Sequence, residues 1–425
     1  MSSPVGNFPE NGSASFRSYL FPILFITSLF YLNFIARIIS APLLPTIEAD
    51  LAISHAQAGS LFLIISSGYF ITLLGSGFIS ARISHRKTIA LSAAALGLAL
   101  IATSFSTNLW ALRAGLLLTG MASGLYLPSG LATITSLVHP SSWGKAIAIH
   151  ELAPNLSFIT APLIAEVLLM FLPWRGIFFL IGLFSLSAGC AFVRFGRGGD
   201  FQGQAPGFSS MHILLREPSF WIMLILFSLG ISVTLGIYTM LPLYLVTEHG
   251  IDRSLANTVV SLSRISCIVM AFVGGWASDR FGARRSIGVI LLLSGLMTVL
   301  LGNMTGSLII VAVFLQPLIA ACFFPPGIAA LSSIGPPAVR NVTISLTIPF
   351  AFVIGSGVIP TWIGLVGDAG SFGLGITIVG ILTIFGAILS HFLCICDVHS
   401  TDAVSDDNAA CDPSGESMPE VTTTN

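Results

Sequence analysis

The chain has 425 residues, of which 54% are hydrophobic and only 8% charged, and its formal net charge is −1. A water-soluble protein carries about 25% charged residues, so this composition belongs to a protein dissolved mainly in lipid. A near-neutral balance gives no electrostatic case for a nucleic-acid partner.

Residues 1–17 form a polar, Ser-rich leader. Twelve apolar stretches then begin near Tyr19, Ala58, Thr88, Trp110, Ala146, Gly176, Phe220, Ala256, Ser286, Leu308, Val342 and Phe372. Each is about 20 residues long, enough to cross ~30 Å of hydrocarbon. They are apolar on every face and do not alternate, so helices are predicted rather than a barrel. The first has no A-x-A-like cleavage site at its end and reads as a retained span, not a signal peptide.

In the first span, Asn33, Arg37 and Ser40 share one helical face by their +4 and +3 spacing. The second carries Tyr69 and the fourth carries Arg113 and Tyr126, with Arg113 about one turn from the outer end, where it can snorkel. The fifth holds His150 and Glu151 near its cytoplasmic end, Asn155 on the same face as Glu151, and Glu166 toward its outer end. A linker over 194–218 follows the sixth span. The seventh carries Tyr238, the eighth a polar stripe of Asn257, Ser261 and Arg264, the tenth Gln316 and the twelfth His391. The tail 397–425 is polar and acidic with almost no apolar content, which predicts disorder.

Arg37, Arg113 and Arg264 each lie inside a long apolar run. A cation at bilayer depth costs roughly 2.5–3.5 kcal/mol on insertion scales, so it normally faces a protein interior or a wet cavity and has a partner or bound anion. Arg37 and Arg264 are read as anion contacts, with structural pairing of Arg37 to Glu151 or Glu166 as the alternative. Arg113 is read as an anchor. A partly desolvated Glu151 beside His150 can exchange a proton, which suits proton symport; a salt bridge to Arg82, Arg86 or Lys145 is the competing role. Of the six cysteines, Cys190, Cys267 and Cys322 lie within spans and Cys394, Cys396 and Cys411 at or beyond the last helix end, so no disulfide framework is expected.

The chain repeats itself. Gly77-Phe-Ile-Ser-Ala81-Arg82-Ile-Ser84-His-Arg86-Lys87 follows the second span, and Gly275-Trp-Ala-Ser-Asp279-Arg280-Phe-Gly282-Ala-Arg284-Arg285 follows the eighth, 198 residues later. Pro128-Ser-Gly130-Leu-Ala132 ends the fourth span and Pro325-Pro-Gly327-Ile-Ala329 the tenth, 197 residues later. Two matches at nearly one offset predict six spans plus six: an N-terminal bundle over 18–193 and a C-terminal bundle over 219–396. With the N-terminus cytoplasmic, that side holds 12 of the 17 basic residues and the other only Arg175 and Arg253, the buried three aside. The positive-inside rule then puts both termini in the cytoplasm of a cell-membrane protein.

The loop from Gly275 to Arg285 resembles the cytoplasmic loop motif of the major facilitator superfamily of secondary transporters, and the resemblance covers all twelve spans. It implies an all-α membrane fold of two pseudo-symmetric six-helix bundles, with a substrate site between them near the midplane and alternating access. It also implies a gating loop of Gly275, Asp279, Arg280, Gly282, Arg284 and Arg285, whose carboxylate latches onto a helix N-terminus of the other half, here the fifth span near Lys145. The first copy departs from the pattern, with Ala81 in the acidic place and Ser84 in the glycine place, so symmetric gating is not expected. Arg37, in Arg-x7-Pro-x4-Asp-Leu, resembles the first-helix arginine of organic-anion branches of the superfamily, and Arg264 resembles an eighth-helix anion-site arginine. The span-4 acid of anion:cation symporters is missing.

The expected function is a carrier of a small organic anion, a mono- or dicarboxylate, with proton symport. Its substrate contacts would be Arg37, Arg264, Asn33, Ser261, Tyr126 and Tyr238, and its proton coupling would use Glu151 and His150. The expected partners are that anion, protons and the lipid bilayer, with the protein a monomer. Proton-coupled drug efflux is the competing function; the fifth span lacks the Gly-rich Gly-Pro motif frequent in efflux members. An anion sensor normally has an appended signalling domain, and none is read here. No nucleophile–base motif, phosphate loop or metal-spaced cluster points to an enzyme or a cofactor.

Overall fold

The computed structural model describes residues 16–204, 214–334 and 340–393. Most of the leader, the middle of the linker, Cys394, Cys396, Cys411 and the acidic tail lie outside the described residues. Among the described residues, twelve helices are long and apolar enough to cross a membrane: α1 Phe16–Leu51, α2 His55–Ile83, α3 His85–Ser104, α4 Leu109–Leu137, α5 Pro140–Leu169, α6 Trp174–Phe195, α7 Pro218–Thr247, α8 Arg253–Phe281, α9 Ala283–Asn303, α10 Leu308–Leu331, α11 Thr343–Asp368 and α12 Phe372–Phe392. Several outrun the apolar stretches into polar or charged ends, such as Glu48 and Asp50 of α1 and Asp279 and Arg280 of α8. The duplication is visible in the starts: His55 and Arg253, His85 and Ala283, and Trp174 and Phe372 are each 198 residues apart.

Many of the spans are interrupted, and the interruptions have a local cause. A proline removes one backbone hydrogen bond and crowds the carbonyl four residues before it. The breaks at Ile39, Leu125, Glu151 and Ala321–Phe323 lie within four residues of Pro42, Pro128, Pro154 and Pro325. Ile354–Val358 in α11 is a π turn just before Pro360. α7 carries a π turn at Ser232–Gly236. α8 is interrupted at Arg264–Ser266 with no proline near.

At one end, the two six-helix halves grip each other. The Ser40–Leu51 stretch of α1 packs on Ile237–Thr247 of α7, the Leu152–Leu169 stretch of α5 packs on Arg253–Ser263 of α8, and α2 runs along α11. A Cβ on Gly59 would overlap the Pro360 carbonyl, and one on Gly364 would overlap the His55 carbonyl, so backbone meets backbone across this seam. Asp368 at the end of α11 accepts hydrogen bonds from the His55 and Ala56 amides at 2.8 and 3.0 Å, placing a carboxylate on the positive end of α2. Arg253 pairs with Glu166 at 3.1 Å and donates to Thr46. At the other end, Trp143–His150 of α5 packs on α1 and α4, and Cys267–Phe281 of α8 packs on α9 and α10, each within its own half. The halves are therefore closed together at the Glu166–Asp368 end and parted at the end bearing the α2–α3 and α8–α9 loops.

Candidate functional site

Arg37 sits just before the break in α1, 8% exposed. Its guanidinium carbon lies 4.4 Å from the Tyr69 ring centroid and 4.6 Å from that of Phe34, with Phe352 of the opposite half at 5.7 Å. Its Nε is buried without a hydrogen-bond partner. Arg264 is the counterpart in the C-terminal half, 5% exposed, over Tyr238 at 4.7 Å and Phe158 at 5.3 Å, and its Nε is likewise unpartnered. One of its amino groups donates to the Thr234 carbonyl at 3.2 Å. That carbonyl is in the π turn of α7, where the widened helix leaves backbone acceptors free.

None of the five ion pairs among the described residues includes either arginine. The alternative partners are otherwise engaged: Glu166 binds Arg253 and Asn257, and Glu151 binds His150. Ring faces contribute about 0.5–2 kcal/mol to a cation, less than the full hydrogen-bonding requirement of a buried guanidinium. Two cations are thus held without a carboxylate, one from each half.

They are also joined. Phe34 beside Arg37 meets Phe158 beside Arg264 edge to face at 5.2 Å, and Phe158 meets Tyr238 at 4.9 Å. The row Tyr69–Arg37–Phe34–Phe158–Arg264–Tyr238 therefore crosses from α2 to α7 through both halves. A narrow pocket, with a cavity volume of about 20 Å³ in this conformation, opens against the first member of this pair, lined by Arg37, Tyr69, Phe62, Ser66, Thr239 and Phe352 among others. Arg264 does not line it. Sequence reasoning missed Phe34, Phe158 and Phe352; only the position of Phe34, three residues before Arg37 on the same helical face, signalled one of them.

Several other predicted contacts are placed away from the pocket. Asn33 donates to the Ser123 carbonyl at 3.1 Å and ties α1 to α4. Asn257 donates to the Pro42 carbonyl at 3.2 Å and to Glu166, while Ser261 donates to the Ile159 carbonyl. The polar stripe of α8 thus lies in the closed seam between halves. Tyr238 lies under Arg264 with its hydroxyl donating to the Phe158 carbonyl at 3.3 Å. Gln316 holds the π turn of α7 through the Val233 carbonyl, and Arg113 donates to Ser60 at 2.8 Å.

Tyr126, His150 and Glu151 form a separate cluster. The Phe30 ring stacks parallel on His150 at 4.2 Å and on Tyr126 at 5.2 Å. The Tyr126 hydroxyl donates to the Ile26 carbonyl at 2.7 Å, so its oxygen is left to accept from His150 Nε2, 3.2 Å away. With a proton fixed on Nε2, the contact of 3.2 Å between Nδ1 and the Glu151 carboxylate is a hydrogen bond only when a further proton lies between them. His150 is fully buried and the Glu151 side chain 49% exposed, so the pair joins the protein interior to water.

The two repeat loops have the same backbone and different surroundings. Ser84 has φ 81° and ψ 157°, Gly282 has φ 82° and ψ 150°. Serine therefore adopts the glycine conformation here, at a cost of order 1–3 kcal/mol. The linker covers this loop: the His85, Arg86 and Gly203 amides donate to the carbonyls of Phe201, Gly199 and Ser80 at 3.1, 2.8 and 3.0 Å, and Arg86 pairs with Asp200 at 3.3 Å. Around Gly282 the space is open, and Asp279 and Arg280 are exposed. Arg284 donates to the His391 carbonyl. Asp279 forms no hydrogen bond or ion pair among the described residues.

Comparison with known proteins agrees with this architecture. The Major Facilitator Superfamily model matches residues 26–265 and 236–408, and the chain belongs to that superfamily of secondary transporters. Among curated relatives, the membrane sensor protein UhpC of Salmonella typhimurium is 25% identical over 308 residues, covering 67% of this chain and 68% of that protein. The multidrug resistance protein MdtL of Escherichia coli is 24% identical over 359 residues, covering 82% and 90%. A solved structure of a bacterial homolog of the human lysosomal transporter Spinster, inward-facing and occupied, shares the fold with a TM-score of 0.77 at 16% identity, covering 90% of this chain and 97% of that one.

Proposed function

We propose that this multi-pass membrane transporter carries a small organic anion, a mono- or dicarboxylate, by alternating access, with a proton as the coupling ion. The observation that carries the reading is that no carboxylate among the described residues pairs with Arg37 or Arg264, buried groups whose cost is offset when an anion binds. The basic-residue asymmetry orients the parted end, with its Arg- and Lys-rich loops, toward the cytoplasm, so both termini are cytoplasmic and Arg37 is approached from inside.

Glu151 and His150 supply the coupling in this reading. The His150 ring stacks on Phe30, which meets Phe34 beside Arg37 edge to face at 6.3 Å. A proton on the Glu151–His150 pair removes negative charge near the site and favours an incoming anion; its loss favours release. An accompanying proton also offsets the cost of moving an anion against a negative-inside potential. The relatives named as a sensor and as a multidrug resistance protein mark the alternatives, signalling without turnover and efflux.

Proteoliposomes with an imposed pH gradient test the proposal. Wild-type protein accumulates a labelled carboxylate when the outside is acid, whereas Glu151→Gln keeps anion–anion exchange and loses accumulation. Accumulation by Glu151→Gln equal to wild type would remove Glu151 from the coupling step.

A further inference from the structure

We infer that the anion seated at Arg37 is a monocarboxylate with a compact apolar or aromatic body, not a dicarboxylate. The inference rests on the anion-carrier reading above and narrows it through the hydrogen-bonding state of the pocket. Three hydroxyls line the pocket besides Tyr69: Ser66, Thr239 and Ser356. Each has its proton committed. Ser356 donates to the Phe352 carbonyl at 2.7 Å, so in the 2.9 Å contact between Ser66 and Ser356 the donor is Ser66. Thr239 donates to the Gly236 carbonyl at 2.8 Å.

What remains for a ligand is one donor cluster, the Arg37 guanidinium with Tyr69 beneath it, facing walls that include Phe62 and Phe352. The second guanidinium cannot anchor a second carboxylate in this conformation. Arg264 does not line the pocket, is covered by Phe158 and Tyr238, and is already donating to Thr234. A second carboxylate, which can only accept, would therefore be buried against ring carbons and hydroxyls whose donors are spent, and a desolvated polar group without a partner weakens binding. An apolar body meets no such opposition, and its carboxylate finds the one unpaired cation of the pocket.

The test is a titration series on the purified full-length protein in detergent, reading thermal stabilisation with phenylacetate, isovalerate and succinate at equal ionic strength and pH. Phenylacetate and isovalerate are expected to bind at least tenfold more tightly than succinate, and Phe352→Leu to lower the preference for phenylacetate over isovalerate by about fivefold. Succinate binding as tightly as the monocarboxylates overturns the inference while leaving the anion-carrier reading intact. Failure of all three anions to bind overturns both. An unchanged phenylacetate-to-isovalerate ratio in Phe352→Leu overturns the apolar seat assigned to Phe352.

Discussion

Each half of the molecule contributes one buried arginine over one tyrosine, yet the two pairs are built in reverse. In the N-terminal half the arginine is on the first helix and the tyrosine on the second, Arg37 over Tyr69; in the C-terminal half the tyrosine is on the first and the arginine on the second, Tyr238 under Arg264. The first pair faces a pocket and the second is sealed behind Phe158 with a backbone carbonyl for company. The two guanidiniums are almost equally buried, at 8% and 5% exposure, yet only Arg37 lines the pocket, so burial of a guanidinium does not by itself make a ligand contact.

Substituting the arginines should break the comparison most severely. Charge-assisted hydrogen bonds contribute about 1.5–3 kcal/mol each, so Arg37→Ala and Arg264→Ala should each lower carboxylate uptake about 10- to 100-fold while both proteins still reach the membrane. Uptake at the wild-type rate in either variant would remove that residue from the cycle.

Opening the closed seam sharpens the same contrast. Gly59→Ala places a methyl group against the Pro360 carbonyl, and overpacking of this kind costs typically 1–3 kcal/mol. The expected outcome is a shift of about tenfold toward a state parted at the Glu166–Asp368 end, read as a longer spin-label distance between the ends of α1 and α7. An unchanged distance distribution would mean that the seam is not what holds the conformation.

The smallest effect concerns the two loops. Ser84→Gly relieves strain of order 1 kcal/mol, less the entropy glycine adds to the unfolded chain, and Gly282→Ser introduces it. Their thermal midpoints should move apart, up and down respectively, by about a degree or two; movement of both in one direction would show that the linker, not the dihedral, governs the α2–α3 loop.

How far the sequence revealed this molecule depends on the range of the interaction. The twelve helices and the six-plus-six repeat were legible because hydropathy and a 198-residue offset are written along the chain. The buried arginines were legible because a charge in an apolar run has no local reason to exist. The residues that tune them were not. Phe158 and Phe352 reach the arginines through tertiary packing, and an apolar residue on an apolar helix carries no mark. Asn257 and Ser261 have the periodicity of a water-lined stripe, yet they bond across the seam to Pro42, Glu166 and Ile159, because a polar stripe satisfies itself on a facing helix as readily as on water. The carboxylate on a helix N-terminus expected of Asp279 is found at the opposite end, as Asp368 on α2. Linker residue Asp200 pairs with Arg86 in the loop whose own acidic place is Ala81, a contact between segments 114 residues apart with no local periodicity to announce it.

The central claim is that the unpaired cation in the pocket receives an anion, and calorimetric titration of one carboxylate into wild-type, Arg37→Ala and Arg264→Ala protein tests it most directly. Binding should weaken at least tenfold in Arg37→Ala and less in Arg264→Ala, whose guanidinium is covered in this conformation. Equal affinity in wild-type and Arg37→Ala protein would contradict the account.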